Sequence, residues 1–337
     1  MQSILKDKFG RIVNNLRISV TDRCNFRCTY CMPEEGMVWL EENELLSFEE
    51  IARLTKIFSE LGVTKIRLTG GEPLMRKDLH ILVEKISHIN AISDIALTTN
   101  GFFLAEQAEQ LVNAGISRFT VSCDSLNAET FETLTRRNYL HKVFEALNVI
   151  EQFGIRPIKI NTVLIRGIND NEIEEFAQLA RSKPYITRFI EFMPIGKDDG
   201  WTIDKVVPTK EVIQRINATG KKLVRLHSHL TSQISNHIEP AERYKFEDGV
   251  GEIGFISSVS EPFCNSCNRV RITSDGKFRT CLFSLVEKDL KFLLRNNASD
   301  NEIKEAIVNA VLEKEEGHLI NQQGFIRPKR TMSQIGG

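Results

Sequence analysis

The 337-residue sequence lacks an excess of charge of either sign, since 44 lysines and arginines face 45 aspartates and glutamates. The net charge of -1 gives no overall field to attract nucleic acid or a membrane surface, so an anion site requires a local concentration of charge. The chain also lacks any apolar run of about 18 residues and an apolar signal-peptide core at its start. We therefore expect a cytoplasmic protein.

Cysteines are few, and their number, seven, is odd. In a reducing compartment such a set is more typical of metal ligation than of a disulfide framework. Cys123 stands alone, and we expect it to be buried. The other six form two trios, Cys24, Cys28 and Cys31 near the amino end and Cys264, Cys267 and Cys281 further on.

Short β-branched segments alternate with amphipathic segments from residue 14 to about residue 195. Six strands separated by helices indicate right-handed βαβ crossovers and a parallel sheet. Periodicity leaves open whether this α/β sheet is doubly wound or a partly open barrel, but ligands bind at the carboxyl ends of the strands in both. After Pro194 the rhythm breaks, and residues 209–330 are interpreted as one helix, irregular stretches and the second trio.

Five of the predicted strands carry polar residues on one face and apolar residues on the other. Strands of a parallel sheet are covered on both sides, so an inward charged face needs a partner such as a large polyanion; a solvated face is the alternative. On the sixth strand Arg188 aligns with Ile190 and Phe192, and Met193 falls on the opposite face unless a bulge intervenes. The polar face holds Arg17, Ser19, Lys65, Arg67, Thr98, Thr120, Ser122, Lys159 and Asn161.

The first trio has the spacing C-x3-C-x2-C and lies just after the first predicted strand. Three thiolates suit a soft metal centre. A [4Fe–4S] cube usually takes four cysteines, so a trio leaves one iron open to an exchangeable ligand. The spacing alone also allows a zinc site with a distant fourth ligand, or a chance cluster of buried thiols.

The segment TDRCNFRCTYC resembles the defining motif of the radical S-adenosylmethionine superfamily, with Tyr30 as the aromatic residue before the third cysteine. The resemblance implies a partial, open (β/α)6 TIM-type barrel over residues 1–195. It also implies a [4Fe–4S] cluster on the first trio, with S-adenosylmethionine on the open iron, and cofactor cleavage to a 5′-deoxyadenosyl radical. In the loop LTGGEP after the second strand, adjacent glycines allow close backbone approach, and Glu72 and Pro73 set a turn. The loop fits, because in that superfamily it contacts the methionyl amino group.

The second trio has the spacing C-x2-C-x13-C and encloses Arg269 and Arg271. Spacing alone favours zinc and iron–sulfur equally, with His318 or Cys123 as a distant fourth zinc ligand. With this trio the whole sequence resembles the GTP 3′,8-cyclase family of molybdenum cofactor biosynthesis. The matching segments are RISVTDRCNFRCTYCMP, IRLTGGEPLMR, LTTNG, CNSCNRVRIT and the terminal IGG.

This resemblance implies a second [4Fe–4S] cluster, in a smaller C-terminal region over residues 196–337, whose open iron binds the guanine of GTP. Arginine and lysine contacts suit the triphosphate, and two glycines without Cβ atoms can enter a narrow channel beside it. The implied S-adenosylmethionine contacts are Tyr30, Gly71, Ser122 and Met193. The implied GTP contacts are Arg17, Lys65, Arg67, Thr98, Lys159, Arg188, Arg269, Arg271, Gly336 and Gly337.

The implied reaction is abstraction of the 3′ hydrogen of GTP, attack of C3′ on C8, and reduction of the resulting radical with help from Arg269 or Arg271. The product is then (8S)-3′,8-cyclo-7,8-dihydroguanosine 5′-triphosphate. Expected partners are an external one-electron reductant, a second copy in a homodimer, and the next enzyme of the pathway, cyclic pyranopterin monophosphate synthase. Two alternatives are a peptide-modifying radical enzyme, which needs more C-terminal cysteines, and a non-catalytic zinc-binding module, which needs a basic surface.

Overall fold

The computed structural model describes residues 4–35, 37–196, 200–226 and 240–337. Its first part alternates strands and helices, as the periodicity predicts. These elements are β1 (Asn15–Ser19), α1 (Phe48–Glu60), β2 (Lys65–Thr69), α2 (Leu79–Ser87), β3 (Asp94–Thr99), α3 (Leu104–Ala114), β4 (Arg118–Ser122), α4 (Ala128–Thr135), α5 (Leu140–Gln152), β5 (Ile158–Leu164), α6 (Ile173–Ser182) and β6 (Tyr185–Glu191).

The later part contains more regular structure than the sequence indicates. The prediction of one helix among irregular stretches is wrong, since this part forms six strands and four α-helices in the described residues. The strands escaped prediction because, at two to five residues, they are too short to show a hydrophobic alternation. The elements are α7 (Thr209–Ala218), β7 (Leu223–Arg225), β8 (Glu242–Phe246), β9 (Glu252–Ile256), β10 (Arg269–Ile272), β11 (Lys277–Arg279), β12 (Lys288–Asp289), α8 (Leu290–Arg295), α9 (Asp300–Leu312) and α10 (Met332–Ile335).

All the strands belong to one sheet, in the order β12-β11-β10-β1-β2-β3-β4-β5-β6-β9-β8-β7. From β10 to β9 every neighbouring pair is parallel, and the two outer pairs on each side are antiparallel. The first and last strands of this order do not pair, so the sheet stays open. The predicted partial, open barrel is confirmed, and the later part of the chain extends it at both edges.

The helices cover the apolar outer face of the sheet. On β1, Leu16 and Ile18 are fully buried in the main core, together with Phe58 of α1. Ser47 and Glu50 form a capping box that starts α1. The outer packing leaves the polar strand face toward the interior. Nowhere in the described ranges is a helix both long and apolar enough to span a membrane.

Candidate active site

A cavity on the inner face of the sheet brings the two cysteine trios together. All six trio cysteines line it, along with residues from eight parallel strands. The cysteines form no disulfide. The seventh, Cys123, is buried in the main core as expected, and its thiol donates to the carbonyl oxygen of Ser125.

The first trio lies on the loop after β1. A backbone hydrogen bond of 2.9 Å from Cys31 N to Cys28 O closes the turn between its last two members. Burial raises the pKa of Cys24 and of Cys31 to about 12, and that of Cys28 well above its usual range. Such thiols stay protonated unless a group that binds thiolate strongly, such as an iron–sulfur cluster, takes the sulfur and the proton is released to water.

The Gly70-Gly71 pair lets the loop after β2 lie directly against the segment that leads into the first trio. Gly71 N donates to Thr21 O at 2.8 Å, and a Cβ at Gly71 would lie 2.3 Å from Arg23 O. No side chain fits there. Close backbone approach, which the double glycine predicts, therefore sets the position of Gly71 on the cavity wall.

Glu72, the next residue, holds this loop to the end of β3. Its buried carboxylate accepts hydrogen bonds from Thr99 Oγ1 at 2.6 Å, Asn100 N at 2.7 Å and Leu74 N at 3.0 Å. Burial raises its pKa to about 7 despite these donors. The sequence indicated only a turn residue here, because the acceptor role depends on contacts with the next strand.

The structure places the four predicted S-adenosylmethionine contacts, Tyr30, Gly71, Ser122 and Met193, on the cavity wall. Tyr30 donates its hydroxyl to Asp124 Oδ2 at 2.6 Å, and Asp124 Oδ1 accepts from Val163 N at 2.8 Å. Asp124 also lines the cavity, and sequence reasoning missed it. The sequence signal that could have found it is its position two residues after β4, at the carboxyl edge of the sheet.

Met193 reaches the wall without the bulge that the alternation suggested. The register of β5 with β6 runs without interruption from Ile158 opposite Tyr185 to Leu164 opposite Glu191. The strand ends there, so strand alternation no longer governs the two following side chains. Phe192 turns to pack against the ring of Tyr30, with centroids 6.4 Å apart.

The second trio lies close to two positively charged side chains, Arg269 and Lys314. Burial alone would raise the pKa of Cys267, but Arg269 and Lys314 outweigh it and lower that pKa to about 6. Cys281 differs, since burial raises its pKa. One thiolate of this trio is therefore stabilised before any metal binds.

The two trios fit iron–sulfur clusters by the chemistry of their donors. Across the described ranges, no three His, Cys, Asp or Glu side chains converge to hold a single metal ion. Cluster ligands need not converge in this way, because each cysteine of a cubane binds a different iron. Six free thiols in two groups of three, all lining one cavity, match two clusters with an open iron each.

Three arginines lie side by side between the trios. In the register of β10, β1 and β2, Arg271 pairs with Arg17 and Arg17 with Arg67. Burial and the charges of Arg271, Arg269, Arg67 and Arg188 hold the pKa of Arg17 well below its usual range. In the described chain Arg17 Nε has no hydrogen-bond partner. Such a concentration of positive charge, with Arg271 buried and Arg17 and Arg67 half-buried, favours the binding of a polyanion.

Most of the other predicted GTP contacts also line the cavity. Arg67 Nη1 donates to Thr98 Oγ1 at 3.0 Å and to Thr120 Oγ1 at 3.1 Å, and Arg188 reaches the same Thr120 from β6. Lys65 lies on the wall. Lys159 does not: it shares the inner face with the lining residue Asn161 but lies two residues nearer the amino end of β5, where it is 4% exposed. Its predicted contact with GTP stays a prediction.

The tail glycines lie inside the molecule. Arg271 donates to Gly336 O, and Thr69 Oγ1 donates to Gly337 O at 2.7 Å. Gly336 has a φ of +89°, and a Cβ there would lie 2.9 Å from that of Ser19. Gly337 lines the cavity, while Gly336 packs against the strands behind it.

Comparison with known proteins agrees with these observations. Residues 18–180 match the Radical SAM superfamily, and residues 185–320 match the family described as Molybdenum Cofactor Synthesis C. The chain is 46% identical over 98% of its length to a GTP 3′,8-cyclase of Syntrophomonas wolfei subsp. wolfei, 99% of which is covered. It is 42% identical over 99% of its length to a GTP 3′,8-cyclase of Thermodesulfovibrio yellowstonii, which is covered completely at 100%.

Solved structures share the fold at lower identity. Streptococcus suis SuiB matches with a TM-score of 0.60 and 14% identity, over 95% of this chain and 78% of that one. The same protein bound to S-adenosylmethionine matches with a TM-score of 0.58, also at 14% identity, over 94% of this chain and 77% of that one. These structures support the assignment of the fold alone, whereas the full-length relatives show the family. The chain belongs to the GTP 3′,8-cyclases, radical S-adenosylmethionine enzymes of molybdenum cofactor biosynthesis.

Proposed function

We propose that this chain converts GTP to (8S)-3′,8-cyclo-7,8-dihydroguanosine 5′-triphosphate. One observation carries the proposal: a single cavity joins both cysteine trios, and the register row Arg271, Arg17 and Arg67 lies between them. A peptide-modifying enzyme has no need for that row. A nucleoside triphosphate does, because its phosphates match three adjacent guanidinium groups.

At the first trio, Cys24, Cys28 and Cys31 would hold a [4Fe–4S] cluster that, when bound, supplies the electron for reductive cleavage of S-adenosylmethionine to a 5′-deoxyadenosyl radical. The chain contributes the pocket for the cofactor. Gly71 offers backbone without a side chain, and the ring of Tyr30 is fixed by its hydrogen bond to Asp124.

At the second trio, Cys264, Cys267 and Cys281 would hold another [4Fe–4S] cluster, whose open iron suits a nitrogen or oxygen of the guanine. We assign the triphosphate to the arginine row, with Lys65, Arg188, Arg269 and the tail glycines around it. Fixing both ends of the nucleotide places its ribose at a constant distance from the first trio. A constant distance matters, because the radical must abstract its target hydrogen before it reacts with any other group.

The decisive experiment is anaerobic reconstitution followed by addition of dithionite, S-adenosylmethionine and GTP. We expect about eight irons per chain, 5′-deoxyadenosine formed only when GTP is present, and a cyclised triphosphate in equal amount. Zinc bound at either trio, or cofactor cleavage without loss of GTP, would contradict the proposal.

Several companion features belong to the same proposal. They are a cytoplasmic location, suited to seven free thiols, an external one-electron reductant, a homodimer, and delivery of the product to cyclic pyranopterin monophosphate synthase. We also propose that Arg269 or Arg271 assists the last reduction, since both lie between the trios on β10. The division between a core of residues 1–195 and a smaller region of residues 196–337 likewise stays a prediction.

A further inference from the structure

A buried lysine lies behind the second trio, on the segment that follows α9. Lys314 is 2% exposed. Its Nζ donates to the carbonyl oxygens of Arg269, at 2.9 Å, and of Thr280, and lies 4.0 Å from Cys267 Sγ. An ammonium group has three N–H donors, and this site offers one acceptor for each.

The acceptors of Lys314 lie on two separate segments of the trio. Arg269 and Cys267 belong to the segment that also carries Cys264, whereas Thr280 directly precedes Cys281. The ammonium group therefore joins the two segments whose cysteines must face one cluster. The antiparallel pairing of β10 with β11, with Arg271 opposite Arg279, brings the two segments to the same end of a hairpin, and Lys314 joins them beyond the paired residues.

The neighbours of Lys314 complete the attachment. The Glu315 carboxylate accepts from Thr280 Oγ1 at 2.8 Å and from Ser284 Oγ at 2.5 Å, on either side of Cys281. Arg11 donates to Cys264 O at 2.8 Å and to the carbonyl oxygens of Glu315 and Glu316, both at 2.6 Å. Residues 314–316 thus contact, directly or through Arg11, the chain around every cysteine of the second trio.

The first trio lacks a comparable cation against a sulfur atom among the described contacts. The side-chain donor there is the neutral amide of Asn100, 3.9 Å from Cys24 Sγ. The buried carboxylates of Glu72 and Asp124 line the cavity together with this trio, and the nearby cation, Arg27, donates to the carbonyl oxygen of Cys24 at 2.6 Å. A nearby positive charge favours the more negative, reduced form of a cluster, and nearby carboxylates oppose it.

We propose that Lys314 is a positioning residue of the second trio, which holds its two segments together and raises the reduction potential of the cluster they carry. The proposal rests on the proposed function, since it requires a cluster at that trio. The first cluster is then the stronger reductant of the two. Reductive cleavage of the sulfonium would then be left to the first cluster, because a cluster of higher potential is the weaker electron donor.

The test compares Lys314→Gln, which keeps an N–H donor without the charge, with Lys314→Met, which keeps neither. Lys304→Met is the matched control, because it removes a lysine from α9 that pairs with Glu60 at the surface. Each reconstituted holoenzyme is titrated with reductant, and both clusters are followed by electron paramagnetic resonance. The signal of the second cluster is assigned by its loss in Cys281→Ala.

We expect the midpoint potential of the second cluster to move to more negative values in both Lys314 variants, with the first cluster and the Lys304→Met control unchanged. The iron retained on gel filtration should fall in the order wild type, Lys314→Gln, Lys314→Met. This order measures how well the two segments of the second trio are held together, because Lys314→Gln keeps an N–H donor and Lys314→Met does not. An unchanged potential in Lys314→Gln, or equal iron retention in all three, would overturn the proposal.

Folding is checked on the apo proteins by far-UV circular dichroism. We expect the wild-type spectrum for Lys314→Gln, since the contacts of Lys314 are confined to the trio; an unfolded variant would show a role in the whole fold and overturn the proposal. A wild-type protein with only one cluster would defeat the proposed function as well. Two wild-type clusters without any shift in the variants would defeat the Lys314 proposal alone.

Discussion

Arg271 on β10 donates a hydrogen bond to the carbonyl oxygen of Gly336. The same arginine lies beside Arg17 in the register of the sheet. One guanidinium group therefore connects the end of the chain to the cationic row proposed to bind the triphosphate. Displacement of the tail and removal of a cation from the row should therefore both impair the proposed use of GTP, the first by changing the shape of the site and the second by removing a contact with phosphate.

The first prediction concerns Gly336→Ala. The new Cβ would clash with Ser19 and Thr69 in a backbone conformation with φ +89°, so we expect the tail to leave the cavity. Misplacement of groups around the nucleotide should lower turnover about 100-fold. Turnover is measured as 5′-deoxyadenosine formed per unit time.

Gly324→Ala is the matched control for the tail. Gly324 has a φ of +92°, but its Cβ would meet nothing within 4 Å. It carries the same backbone strain, roughly 1 to 2 kcal/mol, without a clash. Equal turnover in the two variants would mean that strain alone, and not the position of the tail, explains any loss.

The second prediction concerns Arg17→Met. Removal of one contact between a cation and a phosphate should weaken GTP binding about 10- to 100-fold. The apo protein should nevertheless be no less stable than wild type, because the substitution relieves repulsion from Arg271 and Arg67. Calorimetric binding of GTP and thermal melting of the apo protein test both parts, and an apo variant that melts well below wild type would contradict the second.

The third prediction concerns Arg330, which precedes α10 and the tail. It pairs with Asp275 at 2.8 Å and with Glu287 at 2.8 Å. Arg330→Met should cost about 1 kcal/mol of stability, as expected for a partly exposed pair, and should lower turnover because the tail loses its anchor. Arg215→Met is the control, since Arg215 makes a similar pair with Glu174, at 2.8 Å, on α6 and α7.

The same pair gives a dependence of stability on pH. Burial opposes the ionisation of Asp275, but hydrogen bonds from Arg330 and Thr273 outweigh it and hold its pKa below 3.8. A carboxyl group with a lowered pKa in the folded state stabilises the protein above its unfolded pKa, and this stability is lost as pH falls through the folded value. Denaturant unfolding of wild type and Asp275→Asn should differ above pH 4 and converge in more acidic solution.

The fourth prediction separates ligand cysteines from the buried one. Cys281→Ala should reduce bound iron from about eight to about four per chain, whereas Cys123→Ala should keep all of it. Cys123 points into the core, with its thiol against Ser125 O at 3.2 Å. Iron and sulfide analysis after reconstitution decides, and loss of iron in Cys123→Ala would contradict the assignment.

Local pattern sufficed for the features that repeat along the chain. Alternation in β1 and β2 predicted that Arg17 and Arg67 face inward, because successive side chains of a strand point to opposite faces of the sheet. The spacing of Cys24, Cys28 and Cys31 indicated a metal centre, because residues a few positions apart on one loop can reach one cluster. The Gly-Gly sequence after β2 likewise predicted close backbone approach, and this is confirmed, because Arg23 O lies where a Cβ of residue 71 would stand.

The sequence by itself thus determined the parallel sheet, its polar inner face and the two cysteine trios. Only the tertiary structure decided that β10 pairs with β1, which sets Arg271 beside Arg17, since strand pairing over such a separation leaves no local trace. Tertiary packing also decided the contacts of Lys314, Arg11 and Asp124. Each of these side chains acts through partners distant in sequence, and such contacts exist only once the chain has folded.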